Sequence, residues 1–275
     1  ELPLYLVALA FPRRKDIWVF GAWFGNRYSD NSRYVYEYVC QNHPEIRAVW
    51  LTHRRDIVEK LKAEGKEAYL IRSLNGYFLS CRAAVAILTC GRDDVNRWGI
   101  VGAFNVQLWH GTPLKKIGKD DRITSRDADP FRKILRRLWS ISFPFTRERY
   151  DMVTAPSEEV ALRLASAFGV SDEVVSVTGY PRADRILELG RSKRGACCIG
   201  EIEGMRWLIL YAPTHRKEGR IGTEDLFKGG NWVQIDKMLV ENSALFLIKM
   251  HYYHRQTERE VPQLSRVIWL SESDC

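Results

Sequence analysis

The sequence lacks the short signatures that assign several common classes of protein. It contains neither a G-x-x-x-x-G-K-[ST] phosphate loop nor a G-x-G-x-x-G dinucleotide fingerprint. Its six cysteines include no C-x-x-C pair, so no zinc or thioredoxin-type redox site is expected. We interpret them as reduced thiols of a cytoplasmic protein. No DNA- or RNA-binding motif is present, so nucleic acid ranks last among the candidate partners and is not expected.

Long hydrophobic runs are also missing. The opening run Leu2–Phe11 is apolar but too short to cross a bilayer. It has neither the basic leader nor the cleavage site of a signal peptide. It is compatible with the end of a longer hydrophobic helix that begins upstream. The sequence shows no internal repeat and no low-complexity segment.

The composition is that of a soluble globular protein. The 275 residues are 45% hydrophobic and 28% charged, and this length predicts two domains. The net charge of +8 indicates an anionic partner: nucleic acid, a membrane face or a phosphate-rich substrate. A basic protein without any special partner remains the alternative.

Short apolar runs alternate with amphipathic stretches along the chain. The predicted strands are Ile17–Phe20, Ala48–Leu51, Ala68–Ile71, Ala84–Leu88, Val106–His110, Met152–Ala155, Val174–Val177, Trp207–Tyr211, Leu245–Lys249 and Val267–Leu270. The predicted helices are Asn31–Gln41, Arg55–Glu64, Leu74–Arg82, Glu158–Phe168, Arg182–Leu189 and Trp232–Asn242. This alternation predicts an α/β fold with a parallel sheet and helices on both faces.

A polar, glycine-bearing stretch from Gly190 to Gly204 separates two predicted domains. The first domain is expected over residues 1–189 and the second over 190–275. The second offers three strands, whereas a doubly wound domain normally has five or six. We therefore expect the chain to stop midway through its second domain.

The richest cluster of chemical groups is Trp109–Lys116, read as Trp-His-Gly-Thr-Pro-Leu-Lys-Lys. His110 is predicted at the end of a strand, where open parallel sheets bind ligands. Pro113 suits the start of a helix, whose free N–H groups bind phosphate. An imidazole at this place is suited to general-base catalysis. The alternative is a histidine that only makes a structural hydrogen bond.

Two further clusters follow predicted strands of the second domain. Tyr211–Arg216 offers a hydroxyl and a guanidinium for phosphate, although a capped turn is equally compatible with it. In Lys249-Met250-His251, a cation and an imidazole suit a pyrophosphate whose charge grows as one phosphate leaves. His251 and His254 have the spacing of a metal pair, but no third ligand is evident, and we expect no metal site.

Two loops of the first domain carry weaker signals. Gly179–Asp184 precedes a helix, and its Arg182 can reach an anionic ligand or form a surface salt bridge. Phe20–Asn31 follows the first strand and holds two glycines that allow close backbone approach. Asp30 or Asn31 is predicted to cap the following helix, and a plain strand-to-helix loop remains the alternative.

A basic amphipathic stretch occupies residues 130–149. Ile134 and Leu138 belong to an apolar face, and Arg136 and Arg137 lie on the opposite side. Such a helix can lie in an anionic membrane surface, and Trp139 and the following aromatics add apolar bulk. The alternative is a helix that faces the core with a solvated basic side.

Taken together, these motifs resemble the CDP-glycerol glycerophosphotransferase family of teichoic acid and capsule polymerases. The pieces that carry the resemblance follow the family's order and are Phe20–Asn31, Trp109–Gly118, Gly179–Asp184, Tyr211–Arg216 and Lys249–His251. The resemblance covers nearly the whole chain, and Trp-His-Gly-Thr-Pro-Leu-Lys is its most specific piece. The family's Asp-Tyr-Ser-Ser segment, which helps to bind the donor, is not found before Cys275.

The resemblance implies two Rossmann-like domains of the glycosyltransferase-B type, with the active site between them. It implies that His110 is the catalytic base and that His251 is a second essential histidine at the donor phosphates. The base would take a proton from the acceptor hydroxyl, whose oxygen attacks the β-phosphorus of CDP-glycerol and releases CMP. The implied donor contacts are Trp109, Gly111, Thr112, Pro113, Arg182, Pro213, Thr214, Lys249 and Met250. His215 is assigned no catalytic role.

The resemblance also implies where the enzyme works. Residues 130–149 would dock on the anionic inner face of the cytoplasmic membrane, where the protein would meet a lipid-linked polyol-phosphate or glycan acceptor. No cofactor is implied, and metal dependence stays open. The alternatives are a sugar-nucleotide glycosyltransferase of the same fold and a non-catalytic membrane-binding module. The sequence does not distinguish glycerol phosphate from ribitol phosphate as the transferred unit, or a primase that adds one unit from a polymerase that adds many. The oligomeric state also stays open.

Overall fold

The computed structural model describes residues 2–121, 134, 138, 148–191, 204–212, 231–249 and 264–270. The chain divides into two compact units, residues 1–192 and 193–275. Each of the two contains a parallel β-sheet.

The first unit is a seven-stranded sheet in the order β3-β2-β1-β4-β5-β6-β7. Its strands are β1 (Arg14–Phe20), β2 (Arg47–Thr52), β3 (Ala68–Leu70), β4 (Ala83–Leu88), β5 (Phe104–Gln107), β6 (Met152–Ala155) and β7 (Val175–Val177). Its helices are α1 (Leu2–Ala10), α2 (Asp30–Asn42), α3 (Arg55–Ala63), α4 (Leu74–Arg82), α5 (Glu158–Phe168) and α6 (Pro181–Arg191). Neighbouring strands pair in parallel, and the strand order reverses between β1 and β4. The prediction of a doubly wound α/β fold is confirmed.

The sheet is covered on both faces because successive strand residues point to opposite sides. On one face, Val19 and Val49 pack with Leu79 of α4 and Leu164 of α5. On the other face, Phe20 and Trp50 pack with Tyr36 of α2 and Leu61 of α3. Two separate apolar cores therefore hold the strands, as the near-continuous apolar runs of buried parallel strands require.

The opening apolar run forms helix α1, whose buried side chain is Ala8. Leu6 and Leu9 are more than half exposed. The helix is tied down by the hydroxyl of Tyr77, which donates to the carbonyl of Leu4 at 2.5 Å. Among the residues that the structure describes, no helix is both long and apolar enough to span a bilayer.

The second unit contains a three-stranded parallel sheet in the order β10-β9-β8. Its described elements are β8 (Trp207–Tyr211), α7 (Trp232–Glu241), β9 (Ala244–Ile248) and β10 (Val267–Trp269). Trp232 and Leu239 of α7 pack on Ala244, Ile248 and Val267, which line one face of the sheet. The side chain of Asn231 accepts a hydrogen bond from the N–H of Gln234 and so caps α7.

Two predictions near the carboxyl end of β5 are wrong. Strand β5 ends at Gln107, three residues before His110, because Trp109 adopts a left-handed conformation with φ of 57°. No helix begins at Pro113; residues 111–117 form a loop before a short 3-10 helix, Gly118–Asp120. Leu114 is 90% exposed, so a helix here would lack the buried apolar face that stabilises short helices.

The carboxylate of Asp94 joins the loops that follow β1 and β4. Asp94 is fully buried and accepts hydrogen bonds from the backbone N–H groups of Thr89 (2.7 Å), Cys90 (2.6 Å), Gly91 (3.2 Å) and Phe24 (2.6 Å). Gly21 makes this approach possible, because a Cβ there would lie 2.1 Å from the carbonyl oxygen of Asp94. One side chain thus holds both loops at the same edge of the sheet.

We expect Asp94→Ala to lower the free energy of unfolding by about 3–5 kcal/mol, since each buried N–H left without an acceptor costs roughly 1–3 kcal/mol. Urea denaturation followed by tryptophan fluorescence measures the loss. Asp93→Ala is the matched control, because the adjacent Asp93 is about half exposed and pairs with Arg97. A loss no larger than that of the control would contradict the role of Asp94.

Candidate functional site

The candidate site lies at the carboxyl edge of the first sheet, where the loops after β1 and β5 meet. The imidazole of His110 lies 4.0 Å from the ring of Trp109 and 5.3 Å from the ring of Trp23, measured between ring centroids. Trp23 belongs to the loop after β1, and His110 belongs to the loop after β5. Because the strand order reverses beside β1, this edge is where doubly wound sheets bind their ligands.

Asn31, the second residue of α2, links three segments of the site. Its side chain is fully buried. The amide nitrogen donates to the carbonyl of Trp109 at 2.8 Å, and the amide oxygen accepts from the N–H of Arg182 at 3.1 Å. The start of α2 therefore positions both the loop that carries His110 and the start of α6.

Asp30 holds two further groups of the site. Its carboxylate accepts from the indole N–H of Trp23 at 3.2 Å and from the guanidinium of Arg182 at 3.2 Å. The carboxylate side chain is 6% exposed and that of Arg182 is 39% exposed, so the ion pair has one buried and one open side. The open guanidinium can bind an anionic ligand while Asp30 fixes its orientation.

The predicted capping role of Asp30 or Asn31 is wrong. The residue that caps α2 is Ser29, and its side chain makes no capping hydrogen bond. Asp30 has a φ of 64° and already belongs to the helix. The Asp30 carboxylate still accepts a hydrogen bond from the N–H of Asn31 at 2.9 Å, but the two side chains also contact Trp23, Trp109 and Arg182 and so serve the site as well as the helix start.

His110 is suited to act as a base. Burial lowers its pKa below the ordinary histidine value; Asp30 raises the pKa again and Arg182 lowers it. A histidine with a lowered pKa is neutral near pH 7 and has a free lone pair. Its Nδ1 is buried and forms no hydrogen bond within the described part of the chain. A buried polar atom without a partner costs free energy, which is typical of a group kept for function.

Gly111 lets the chain pass closely beside Arg182. It has a φ of 153°, in a region that side chains rarely adopt, and a Cβ there would lie 3.3 Å from a guanidinium nitrogen of Arg182. A larger residue would need the end of the Arg182 side chain to shift by a few tenths of an ångström. The backbone conformation, more than the arginine, therefore favours glycine at this position of the His-Gly-Thr-Pro motif.

The structure brings together only part of the predicted site. Trp109, His110, Gly111 and Arg182 meet at one edge of the sheet, and Thr112 and Pro113 continue the same loop. Lys249 follows β9 in the second unit, where its N–H donates to the carbonyl of Tyr211 at 2.9 Å. Four predicted residues lie outside the described ranges: Pro213, Thr214, Met250 and His251. The same holds for His254.

Sequence reasoning missed the roles of Trp23, Asp30 and Asn31. The sequence pattern points to the glycines of this loop and to capping by Asp30 or Asn31, and it does not predict the contacts with Trp109 and Arg182. These residues follow β1 as His110 follows β5, and the carboxyl ends of parallel strands meet at one edge of a sheet. That arrangement is the feature of the sequence that could have placed them near His110. In residues 2–121, 148–191 and the shorter described ranges, no three His, Cys, Asp or Glu side chains converge as metal ligands. Cys40, Cys81 and Cys90 are free thiols.

Comparison with known proteins assigns the family. The model of the CDP-glycerol:poly(glycerophosphate) glycerophosphotransferases matches residues 4–274. The chain belongs to this glycerophosphotransferase family. It is 25% identical over 248 residues to the teichoic acid poly(glycerol phosphate) polymerase of Staphylococcus epidermidis, which covers 85% of this chain and 32% of that protein. It is also 25% identical over 252 residues to the teichoic acid glycerol-phosphate transferase of Staphylococcus aureus, covering 86% and 60% respectively.

A solved structure supports the fold of this glycerophosphotransferase family member. The structure of the wall teichoic acid polymerase TagF superposes with a TM-score of 0.68 at 20% identity, over 95% of this chain and 63% of that chain. The likeness agrees with the predicted Rossmann-like class. The chain spans about one third of the length of the Staphylococcus epidermidis polymerase and 60% of the length of the Staphylococcus aureus transferase.

We expect the pKa of His110 to shift in opposite directions when its two charged neighbours are removed. Asp30→Asn removes a negative charge and lowers the pKa, whereas Arg182→Gln removes a positive charge and raises it. Titration of the imidazole ring followed by NMR measures both shifts. Asp16→Asn, which removes an exposed carboxylate paired with Arg14, is the control and leaves the titration unchanged. Shifts of the same sign in both variants would contradict the arrangement.

Proposed function

We propose that the protein transfers glycerol phosphate from CDP-glycerol to the terminal hydroxyl of a wall or capsule polymer and releases CMP. Membership of the family supports the reaction class. The residue on which the proposal rests is His110, a partly buried imidazole that has a lowered pKa and lies beside an ion pair. A neutral imidazole at a ligand-binding edge is the group that a hydroxyl nucleophile needs as its general base.

In the proposed reaction, His110 takes the proton of the acceptor hydroxyl. The hydroxyl oxygen forms a bond to the β-phosphorus of CDP-glycerol, and the bond between that phosphorus and the CMP oxygen breaks. Asp30 stabilises the imidazolium that forms, because its carboxylate raises the pKa of His110. Arg182, fixed by Asp30, would contact the donor phosphates through its open side.

We further propose that residues of the second unit bind the donor. Lys249 would neutralise phosphate charge, and His251 would act at the donor phosphates as the second catalytic histidine. Pro213, Thr214 and Met250 would contact the nucleotide. The strand ends that carry these residues support the assignment, since loops after parallel strands are where such sheets bind nucleotides.

The acceptor is proposed to be lipid-linked and to be met at the inner face of the cytoplasmic membrane. Ile134 and Leu138 support this, because both are helical and are 58% and 56% exposed. A core-facing helix would bury them. Exposed apolar side chains in an arginine-rich stretch of sequence are typical of segments that lie in an anionic membrane surface.

We expect His110→Ala to lower the rate of transfer by a factor of about 10²–10⁴, the usual contribution of general acid–base catalysis, while the fold stays intact. CMP release from CDP-glycerol in the presence of a lipid-linked acceptor measures the rate in the full-length protein. The wild-type rate should fall as the pH drops through a value below about 6.5, because the protonated imidazole cannot accept a proton. His43→Ala is the control, since His43 is an exposed residue paired with Glu45.

CDP-ribitol and a UDP-sugar serve as parallel donors in the same assay. CMP from CDP-glycerol alone supports both the reaction and the donor. Turnover of the UDP-sugar with neither CDP-polyol active would assign the protein to the sugar-nucleotide glycosyltransferases. An unchanged rate in His110→Ala would exclude His110 as the base, and silence with every donor would favour a non-catalytic membrane-binding module.

We expect Ile134→Ser combined with Leu138→Ser to weaken binding to vesicles that contain phosphatidylglycerol, with little loss of stability, because both side chains are already exposed. Co-sedimentation with vesicles measures the binding. Val233→Ser with Met238→Ser is the matched control, since these side chains of α7 are 75% and 54% exposed. Equal binding of the two double variants would contradict membrane docking by this helix.

A further inference from the structure

A groove with a volume of about 600 Å³ lies between the loop that follows His110 and helix α5. Its cationic side chains are Lys115, Lys116 and Lys119 from the loop and Arg163 from the helix. Asp120 is the one carboxylate among its described lining residues. We refer to it as the cationic groove; neither the predicted donor contacts nor the proposed base includes its charged residues.

The charge of the cationic groove is poorly neutralised. Asp120 accepts a hydrogen bond from the hydroxyl of Ser166 at 2.9 Å, and Arg163 pairs with Glu159 on its own helix. Lys115 and Lys116 are exposed, and neither forms a salt bridge within the part of the chain that the structure describes. Like charges gathered around one concave surface raise the local concentration of anions.

The groove is held in shape by close contact between the loop and the helix. A Cβ on Gly118 would lie 2.4 Å from the carbonyl oxygen of Ala167, so the loop backbone passes directly against α5. The ammonium of Lys119 lies 3.5 Å from the carbonyl of Gly169, the residue that ends α5. The cations are therefore presented by two elements that are fixed to each other.

The cationic groove begins next to the proposed base. Pro113, which lines it, is three residues after His110, and consecutive Cα atoms are about 3.8 Å apart, so the two Cα atoms lie within roughly 11 Å. A chain whose terminal hydroxyl reaches His110 must place its next units within such a distance. If those units are joined by phosphodiesters, they carry negative charge.

We propose that the cationic groove binds the phosphodiester groups that precede the terminal hydroxyl of the acceptor chain. This inference rests on the proposed function, because it names the place where that acceptor lies. The ammonium groups of Lys115 and Lys116 and the guanidinium of Arg163 contact the phosphate oxygens. The exposed side chains of Leu114 and Leu162 provide apolar surface for the carbon atoms of the polyol.

The test compares the full-length protein with a variant in which Lys115→Gln, Lys116→Gln and Arg163→Gln are combined. Binding of a soluble oligo(glycerol phosphate) without a lipid is measured by calorimetry in the absence of donor. We expect the dissociation constant to rise about tenfold, since three exposed cation–phosphate pairs are lost. In the transfer assay, KM for the acceptor rises by a similar factor, while KM for CDP-glycerol and kcat stay unchanged.

The matched control combines Lys15→Gln, Lys60→Gln and Lys237→Gln. It removes the same charge from exposed positions, and Lys237 pairs with Glu241 on its own helix as Arg163 does with Glu159. The control should bind the oligomer as the unchanged protein does. If both variants bind the oligomer equally weakly, the loss of binding reflects net charge alone and the proposal is overturned.

A second arm measures binding to phosphatidylglycerol vesicles, because a lipid headgroup offers the same phosphate chemistry. If the variant loses vesicle binding but binds the oligomer unchanged, the groove binds lipid headgroups and the proposal is overturned. If neither binding changes, the proposal is overturned as well. The calorimetric result does not depend on turnover. A protein that fails to release CMP but loses oligomer binding in the variant would refute the proposed function while leaving the phosphate-binding groove established.

Discussion

The structure around the site depends on one buried carboxylate. Asp94 accepts four backbone N–H groups from two loops, and without such an acceptor those groups would be buried and unpaired. The loops follow β1 and β4, the strands between which the order of the sheet reverses. A single polar side chain inside the apolar framework thus sets the loop conformation at the edge where we propose that ligands bind.

Backbone strain is concentrated at the same edge of the sheet. Four residues other than glycine have a left-handed φ there: Trp23 and Phe24 after β1, Asp30 at the start of α2, and Trp109 after β5. Such conformations cost about 1–3 kcal/mol each and persist only where surrounding contacts enforce them. The enforcing contacts include the bond from Phe24 to Asp94 and the bond from Asn31 to the carbonyl of Trp109. In this conformation the ring of Trp23 lies 5.3 Å from the imidazole of His110, measured between ring centroids.

The framework could be predicted from sequence because apolar periodicity reports burial, and buried parallel strands read as continuous apolar runs. The predicted bounds of α4, α5 and β6 agree with the structure. The sequence also points to His110 and Arg182 as separate candidates at strand-to-helix loops, but it does not predict that they lie beside each other. The recruitment of Asp30 and Asn31 could not be predicted, because Asp and Asn before a helix normally satisfy its own N–H groups. Here the two side chains also bind Trp23, Trp109 and Arg182, and such tertiary contacts leave no local pattern in the sequence.

The electrostatics of His110 suit the base that we propose it to be, because they balance two opposing requirements of such a group. Burial lowers its pKa and keeps the imidazole neutral, but a pKa lowered too far would make the imidazole a weak proton acceptor. The carboxylate of Asp30 acts in the opposite direction, and its effect is tempered by Arg182, which pairs with the same carboxylate. An anionic ligand on the open side of Arg182 would neutralise the guanidinium and so raise the pKa of His110. The imidazole would therefore become a stronger base when the donor phosphates are bound, at the stage when the proton has to be removed.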